Sequence, residues 1–249
     1  MSHIPALSQA LALLRGLSER GPSSAASLAR SLQLPRSTAY HLLAVLRDEG
    51  FVVHYPQERR WGLGPTAFTV GQAYLRHDPR EALARPLLVS LADEVGQTAH
   101  LGVLRGTEVV YLLKESPRQR LDAPTLITGV GVHLPAATTA SGRAMLAHLP
   151  SAQLRALMST SDALVQRTGK GPSSLSTLRR VLATERKQGF AYEDGEVLDG
   201  YASVAAAVLD RTGRPSASVS VTFRGGTVDV AELGQTVMST ADALSHRMH

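Results

Sequence analysis

Between Ser23 and Gly64 the apolar pattern changes period twice within a short stretch, and that succession admits very few folds. Behind Ser23-Ser24, whose hydroxyls suit an N-cap, Ala25, Leu28, Ala29 and Leu32 repeat at helical spacing. A brief Gln33-Leu34 turn leads to Pro35, a residue favoured in a first helical turn, and a helix is expected from there to about Glu49, with Gly50 ending it. Within it Ala39, Leu42, Leu43 and Leu46 fall at i, i+3, i+4 and i+7, so they bury one face. Phe51 to Tyr55 and Trp61 to Gly64 then read as two strands around the polar turn Pro56 to Arg60. Ile4, Leu7, Leu11, Leu14 and Leu17 mark a preceding helix that Gly21-Pro22 closes. Short helices joined by a tight turn and followed by a hairpin are the layout of a winged helix-turn-helix.

The face of the third helix opposite its apolar stripe carries Arg36, Ser37, Tyr40 and His41, with Thr38 at the edge of the first turn. Arginine suits guanine, and hydroxyls suit phosphates or base edges. Their place at the helix N-terminus fits too, because that end enters the major groove and its free N–H groups favour anions. Gln57, Arg59 and Arg60 at the hairpin tip are placed to straddle a phosphate backbone or reach a minor groove. Charge agrees: residues 1–80 hold nine arginines against five acids, a net of +4, while the rest of the chain nets +1 of the total +5. Such asymmetry is the footprint of a polyanion-binding module, although a solvated basic surface would show it as well.

From Pro65 to about Val95 the pattern is mainly helical, interrupted near Asp78-Pro79, and reads as a connector. Beyond Gly96 strands and helices mix: a hairpin at 98–104 and 108–115, helices at 140–148, 151–158 and 175–188, strands at 190–196, 203–209 and 217–223, and a closing helix at 229–248. Helices flanking a largely antiparallel sheet without βαβ repetition predict an α+β domain. The expected domains are residues 1–64 for the winged helix-turn-helix, 65–80 for a helical linker and 81–249 for the α+β domain. The absence of cysteine excludes a disulfide framework, a thiolate metal site and a thiol nucleophile. No segment approaches the ~20 apolar residues of a membrane span, and the N-terminus has no signal-peptide character, so a soluble cytoplasmic protein is expected.

The stretch SLARSLQLPRSTAYHLLAVLRDEGFVVHYPQERRWGLG resembles the DNA-binding domain of the IclR family of bacterial transcriptional regulators. Leu34-Pro35-Arg36-Ser37-Thr38, the Leu42-Leu43-x-x-Leu46 core and Trp61-x-Leu63-Gly64 carry that likeness, and His41 departs from it, standing where the family usually has arginine. Further on, Leu134-Pro135 through Ala140-Ser141-Gly142-Arg143-Ala144-Met145-Leu146-Ala147 is similar to the family's proline-to-helix segment. Lys187-Gln188-Gly189-Phe190-Ala191, Glu196, Gly200 and Ala205 to Asp210 follow the later pattern. The resemblance implies a GAF-like effector-binding and oligomerisation domain, double-stranded operator DNA as partner, homodimers commonly paired into tetramers, and linker helices that contribute to assembly.

In the second domain Thr138-Thr139-Ala140-Ser141-Gly142 precedes a helix, where small residues and the helix dipole would favour a carboxylate. Ser218, Ser220 and Thr222 alternate with Val219, Val221 and Phe223, so three hydroxyls share one strand face. That row lines a small polar pocket or simply faces solvent. The resemblance assigns Thr139, Ala140, Ser141, Glu193, Ser203, Ser220 and Thr222 to effector contact, with apolar walls from Leu121 to Ile127 and from Met145. It implies a small organic acid, an aromatic or oxo carboxylate. Glu193 would sit awkwardly beside an anion unless it is protonated, solvated or bonded to a ligand hydroxyl. Ser203 replaces a cysteine seen in some relatives. The alternative is a DNA-binding protein whose second domain only oligomerises.

Catalysis finds no support in the sequence. His100, His133 and His148 are scattered without metal-site spacing, and His246 and His249 lie at the tail. Gly169-Lys170-Gly171-Pro172-Ser173 lacks the phosphate-loop frame, and no Gly-x-Ser-x-Gly elbow occurs. No catalytic residue, metal or cofactor is expected.

Overall fold

The computed structural model describes residues 4–77, 79–118 and 128–248. The chain divides into two compact units, Met1–His77 and Asp78–His249.

In the first unit, helix α1 (Pro5–Arg20) is closed by Gly21, and α2 (Ala25–Ser31) starts on Ser24, whose side chain accepts from Ser27 N. Helix α3 (Arg36–Asp48) follows a turn in which Gln33 adopts a left-handed φ of 53°. Strands β1 (Val52–Tyr55) and β2 (Arg60–Leu63) pair antiparallel, with Tyr55 opposite Arg60. The core joins Leu13, Leu17, Leu28, Leu43, Leu46, Val52 and Trp61. The α1 stripe is only partly used: Leu17 is buried and Leu14 half-buried, Leu13 takes a core place, and Ile4, Leu7 and Leu11 stay exposed. Trp61 exchanges backbone bonds with Ser23 at 2.8 and 2.9 Å, tying the hairpin to the entry of α2. Gly64 is required where the hairpin returns, because a Cβ there would lie 2.3 Å from the Gly50 carbonyl oxygen. Helix α4 (Pro65–His77) starts there, with Thr66 N donating to the same carbonyl.

The second unit is built on one antiparallel sheet. Helix α5 (Pro79–Val95) leads into β3 (Thr98–Arg105) and β4 (Glu108–Glu115); β5 (His133–Pro135), α6 (Ala140–Leu146), α7 (Ser151–Leu157) and α8 (Leu175–Gln188) follow. Strands β6 (Ala191–Asp194), β7 (Tyr201–Leu209) and β8 (Pro215–Arg224) and helix α9 (Val230–Met248) complete it. The strand order is β5-β4-β3-β8-β7-β6. The short strand β5 has no sequence signal: three residues are too few to show a period.

Alternation divides the sheet into two unlike faces. Ala99, Leu101, Val103, Val204, Ala206, Val219, Val221 and Phe223 face α5 and α9, completing one apolar core with Leu88, Leu91, Val237 and Leu244. The other face is sparser and more polar, and α6 packs over it through Ala140 and Ala144 against Ala191 and Ala205. Close approach is the point of these small side chains. Gly142 takes it furthest, since a Cβ would fall 2.2 Å from the Ala136 carbonyl oxygen.

Candidate DNA-reading surface and effector cleft

On α3 the apolar stripe turns Ala39 and Leu43 into the core, which leaves Arg36, Ser37, Tyr40 and His41 exposed and Thr38 half-buried. Gln57, Arg59 and Arg60 are exposed at the hairpin tip, where Arg59 holds a left-handed φ of 53° that closes the turn. Among the described residues Arg36, Arg59 and Arg60 have no ion-pair partner, whereas Arg47 near the other end of α3 is held by Asp48 at 2.8 Å. Unpaired guanidinium groups at the helix start and the wing are available to phosphates and base edges.

The polar face of the sheet makes the second site. Strand register puts Glu193 beside Ser203, Ser203 beside Thr222 and Thr222 beside Thr98, a polar row across four strands. Ser203 Oγ and Thr222 Oγ1 are hydrogen-bonded at 3.1 Å. A narrow cleft, with a free volume of about 20 Å³, lies over this row, lined by Tyr111, Thr128, Thr139, Ala140, Glu193, Val197, Leu198, Tyr201, Ser203 and Thr222. Ser141 and Ser220 are not at its surface: Ser141 Oγ donates to Ser220 Oγ at 2.9 Å, buried between α6 and the sheet. The hydroxyl row of β8 therefore faces inward, under α6, and not solvent.

Thr139 caps α6, its Oγ1 accepting from Gly142 N at 3.1 Å. Seven residues make fewer than two turns, so this helix lends an anion only a weak dipole. Met145, expected as a wall, is not among the lining residues; it is buried in the cluster that joins Leu134, Leu146, Leu178 and Leu182 to Tyr111. Leu121 to Ile127 lie outside the described residues. Tyr111, Thr128, Val197, Leu198 and Tyr201 were not foreseen as lining; only the alternation of β4, which puts Tyr111 on the polar face, could have pointed to one of them.

Glu193 is 2% exposed and its Oε2 accepts from Glu196 N at 3.0 Å. Burial, partly offset by a hydrogen bond from Ser203, pushes its carboxyl up to about 7. Beside it lies a buried ionic cluster that sequence spacing does not reveal. Arg143 donates from Nη1 to both oxygens of Glu196 at 2.8 Å and from Nη2 to the Tyr192 carbonyl, and its Nε lies 3.0 Å from Glu185 Oε1. Burial outweighs Arg143 at Glu185 and raises that carboxyl to about 7 as well. One arginine thus clamps α6 to α8 and β6 and holds Thr139 and Ala140 at the cleft wall. Among the described residues no group of histidine, aspartate and glutamate is arranged to hold a metal ion, and no helix is long and apolar enough to cross a membrane.

Comparison with known proteins bears on both sites. Residues 6–56 match the IclR helix-turn-helix domain and residues 72–246 the bacterial transcriptional regulator IclR C-terminal family. The chain belongs to the IclR family. It is 29% identical over 223 residues to the transcriptional repressor IclR of Escherichia coli K12, covering 88% of this chain and 79% of that one. The crystal structure of an IclR regulator from Alicyclobacillus acidocaldarius superposes with a TM-score of 0.86 at 25% identity, covering 98% and 99% of the chains. An IclR homolog from Microbacterium hydrocarbonoxydans, solved in complex with 4-hydroxybenzoate, shares the fold with a TM-score of 0.81 at 20% identity, covering 98% and 100%. The IclR-family chain is accordingly a transcriptional regulator and not an enzyme, with a helix-turn-helix DNA-binding unit and an α+β effector domain.

Proposed function

We propose that this IclR-family regulator is a cytoplasmic homodimer, or a dimer of dimers, that binds an inverted-repeat operator and is controlled by a small aromatic or oxo carboxylic acid in the effector cleft. The cleft carries the reading: a polar row of Glu193, Ser203 and Thr222, enclosed by Thr139, Tyr111 and Tyr201, is built like a small-molecule site and not like a packed core. The 4-hydroxybenzoate complex of the Microbacterium homolog supports the ligand class. Arg36, Ser37, Thr38, Tyr40 and His41 would read the major groove, and Gln57, Arg59 and Arg60 would hold the backbone. Ile4, Leu7 and Leu11 of α1 and Phe68 and Val70 of α4 are exposed apolar residues that a second copy would cover, which supports dimerisation through α1 and the α4 linker.

The ligand acts on DNA affinity only through a difference in its affinity for two arrangements of the linker helices. The test is reciprocal. Thermal-shift screening of aliphatic and aromatic acids finds ligands, since a native-state ligand raises stability by mass action. Anisotropy of labelled operator with and without the best acid, and calorimetry of that acid with and without operator, must then give the same coupling factor. An acid that binds without altering operator affinity, or no acid that binds, would favour a C-terminal domain that only oligomerises.

A further inference from the structure

His100 has no role in the site as described above, yet it lies buried just behind the cleft, in ring contact with the lining residue Tyr111. The lining residues Tyr111 on β4 and Thr222 on β8 flank β3, where Gly102 is opposite Tyr111 and Thr98 opposite Thr222; His100, two residues from each, is opposite Ser220 and Lys114. It is 0% exposed, and its ring lies 5.2 Å from that of Tyr111. Neither ring nitrogen makes a hydrogen bond of good geometry among the described residues, the nearest group being the Thr128 backbone, which favours the protonated ring, and Oγ1 of Thr128, a buried lining residue, has no partner. Leaving such a group unsatisfied costs about 1–3 kcal/mol, and native proteins keep few of them. Oγ1 of Thr128 lines the Tyr111 end of the cleft, with the imidazole packed on Tyr111 behind it, so polar atoms short of partners gather there.

We propose that His100 and Thr128 form a second polar subsite of the cleft that binds the carboxylate of the effector, while Glu193, Ser203 and Thr222 receive a hydroxyl at its other end. The effector is then a hydroxylated acid, and this rests on the reading of the cleft as an organic-acid site. Charge orders the two ends. Glu193 repels a carboxylate and accepts from a hydroxyl. Lys114, across the strand pair from His100, is the cation on the opposite side. Three strand spacings separate β6 from β3, about 14 Å, and His100 lies two residues along β3 from Thr98, the end of the Glu193 row, so a ligand that meets both groups runs obliquely across the sheet with a ring or short chain between its polar groups. Burial, reinforced by Lys114, lowers the imidazole to about 3, so the empty site presents a neutral ring with one N–H to donate and one lone pair.

Calorimetry on the full chain with 4-hydroxybenzoate and benzoate separates the ends. His100→Phe and Thr128→Val should each weaken both acids at least tenfold, because both carry the carboxylate. Glu193→Gln should weaken 4-hydroxybenzoate alone and leave benzoate unchanged or tighter. Melting temperature serves as the folding control: each apolar replacement removes orphaned polar atoms, so neither should lower it, and the near-isosteric Thr128→Val decides if His100→Phe does not fold. Unchanged affinity for both acids in these two variants overturns the subsite, most plainly if His100→Phe also melts lower. A pattern in which Glu193→Gln weakens both acids and His100→Phe only the hydroxylated one overturns the orientation. If wild type binds neither acid at millimolar concentration, the organic-acid reading falls and this inference with it, a result distinct from wild-type binding that the variants retain.

Discussion

Replacing Arg143 with methionine tests the electrostatic architecture beside the cleft. Methionine fills the space of the aliphatic stem but leaves Glu185 and Glu196 facing each other without a cation, and it frees the Tyr192 carbonyl. Removing one partner from a buried ion pair typically costs about 3–5 kcal/mol. The loss has a ceiling, because a stranded glutamate can take a proton. At pH 7 that escape costs about 3.5 kcal/mol, the gap from a reference value near 4.3 at 1.36 kcal/mol per unit. Glu185 already stands near 7 and has little further to lose, so the loss falls mainly on Glu196. At pH 5 the same escape costs only about 1 kcal/mol. We expect Arg143→Met to destabilise the C-terminal unit by ~3–4 kcal/mol at pH 7 and by ~1–2 kcal/mol at pH 5. Urea unfolding followed by circular dichroism measures it at both pH values. Trp61, the single tryptophan, sits in the other unit, so its fluorescence midpoint is an internal control that should not move. An equal loss at both pH values would show that the arginine acts through packing and refute the charge argument. No loss would show that the cluster is dispensable.

The remaining predictions are briefer. Arg36→Ala and Tyr40→Ala should weaken operator binding, the arginine by about 1–3 kcal/mol at one base position if its contact is bidentate, while Arg59→Ala and Arg60→Ala should weaken all sequences alike and flatten the salt slope; anisotropy at several salt concentrations separates the two. Gln33→Gly should raise the Trp61 unfolding midpoint, since a left-handed L-residue costs ~1–2 kcal/mol and glycine's added chain entropy offsets ~0.5–1 kcal/mol of that, a net gain up to about 1.5 kcal/mol. The buried titratable groups pull stability in opposite directions. Glu193, raised to about 7, favours the protonated folded state, so its contribution is full below about 4.5 and lost as pH rises towards 7; His100, lowered to about 3, contributes fully above 6.5 and loses that as pH falls. Relative to wild type, Glu193→Gln should therefore gain stability as pH rises from 4.5 to 7, and His100→Phe as pH falls below 6.5, each by at most ~1.4 kcal/mol per unit. Melts across pH 4 to 8 that show parallel curves would contradict both assignments.

The sequence alone determined whatever depends on neighbours along the chain. Helical spacing and the serine before it set α2, the period of Ala39, Leu43 and Leu46 set the exposed face of α3, and alternation in β8 put Ser218, Ser220 and Thr222 on one side. Local geometry has fixed periods, so these follow from spacing. The family pattern then marked half of the cleft-facing positions: Thr139, Ala140, Glu193, Ser203 and Thr222.

Which way the β8 hydroxyls face, and what they meet, was decided only by the tertiary structure. The strand order sets Glu193 of β6, Ser203 of β7 and Thr222 of β8 in one row, and no local period carries strand order. The same holds for Ser141 with Ser220, and for Arg143 with Glu185 and Glu196, partners 42 to 79 residues apart that meet because α6 needs a close seat on an alanine-lined sheet face. His100 shows the limit most plainly. In sequence it is a solitary histidine among apolar neighbours; burial at the centre of the sheet, behind a cleft, leaves it without a hydrogen bond of good geometry. Burial is a property of the whole packed assembly, set by which faces exclude water together, and it cannot be read from a residue and its neighbours in the chain.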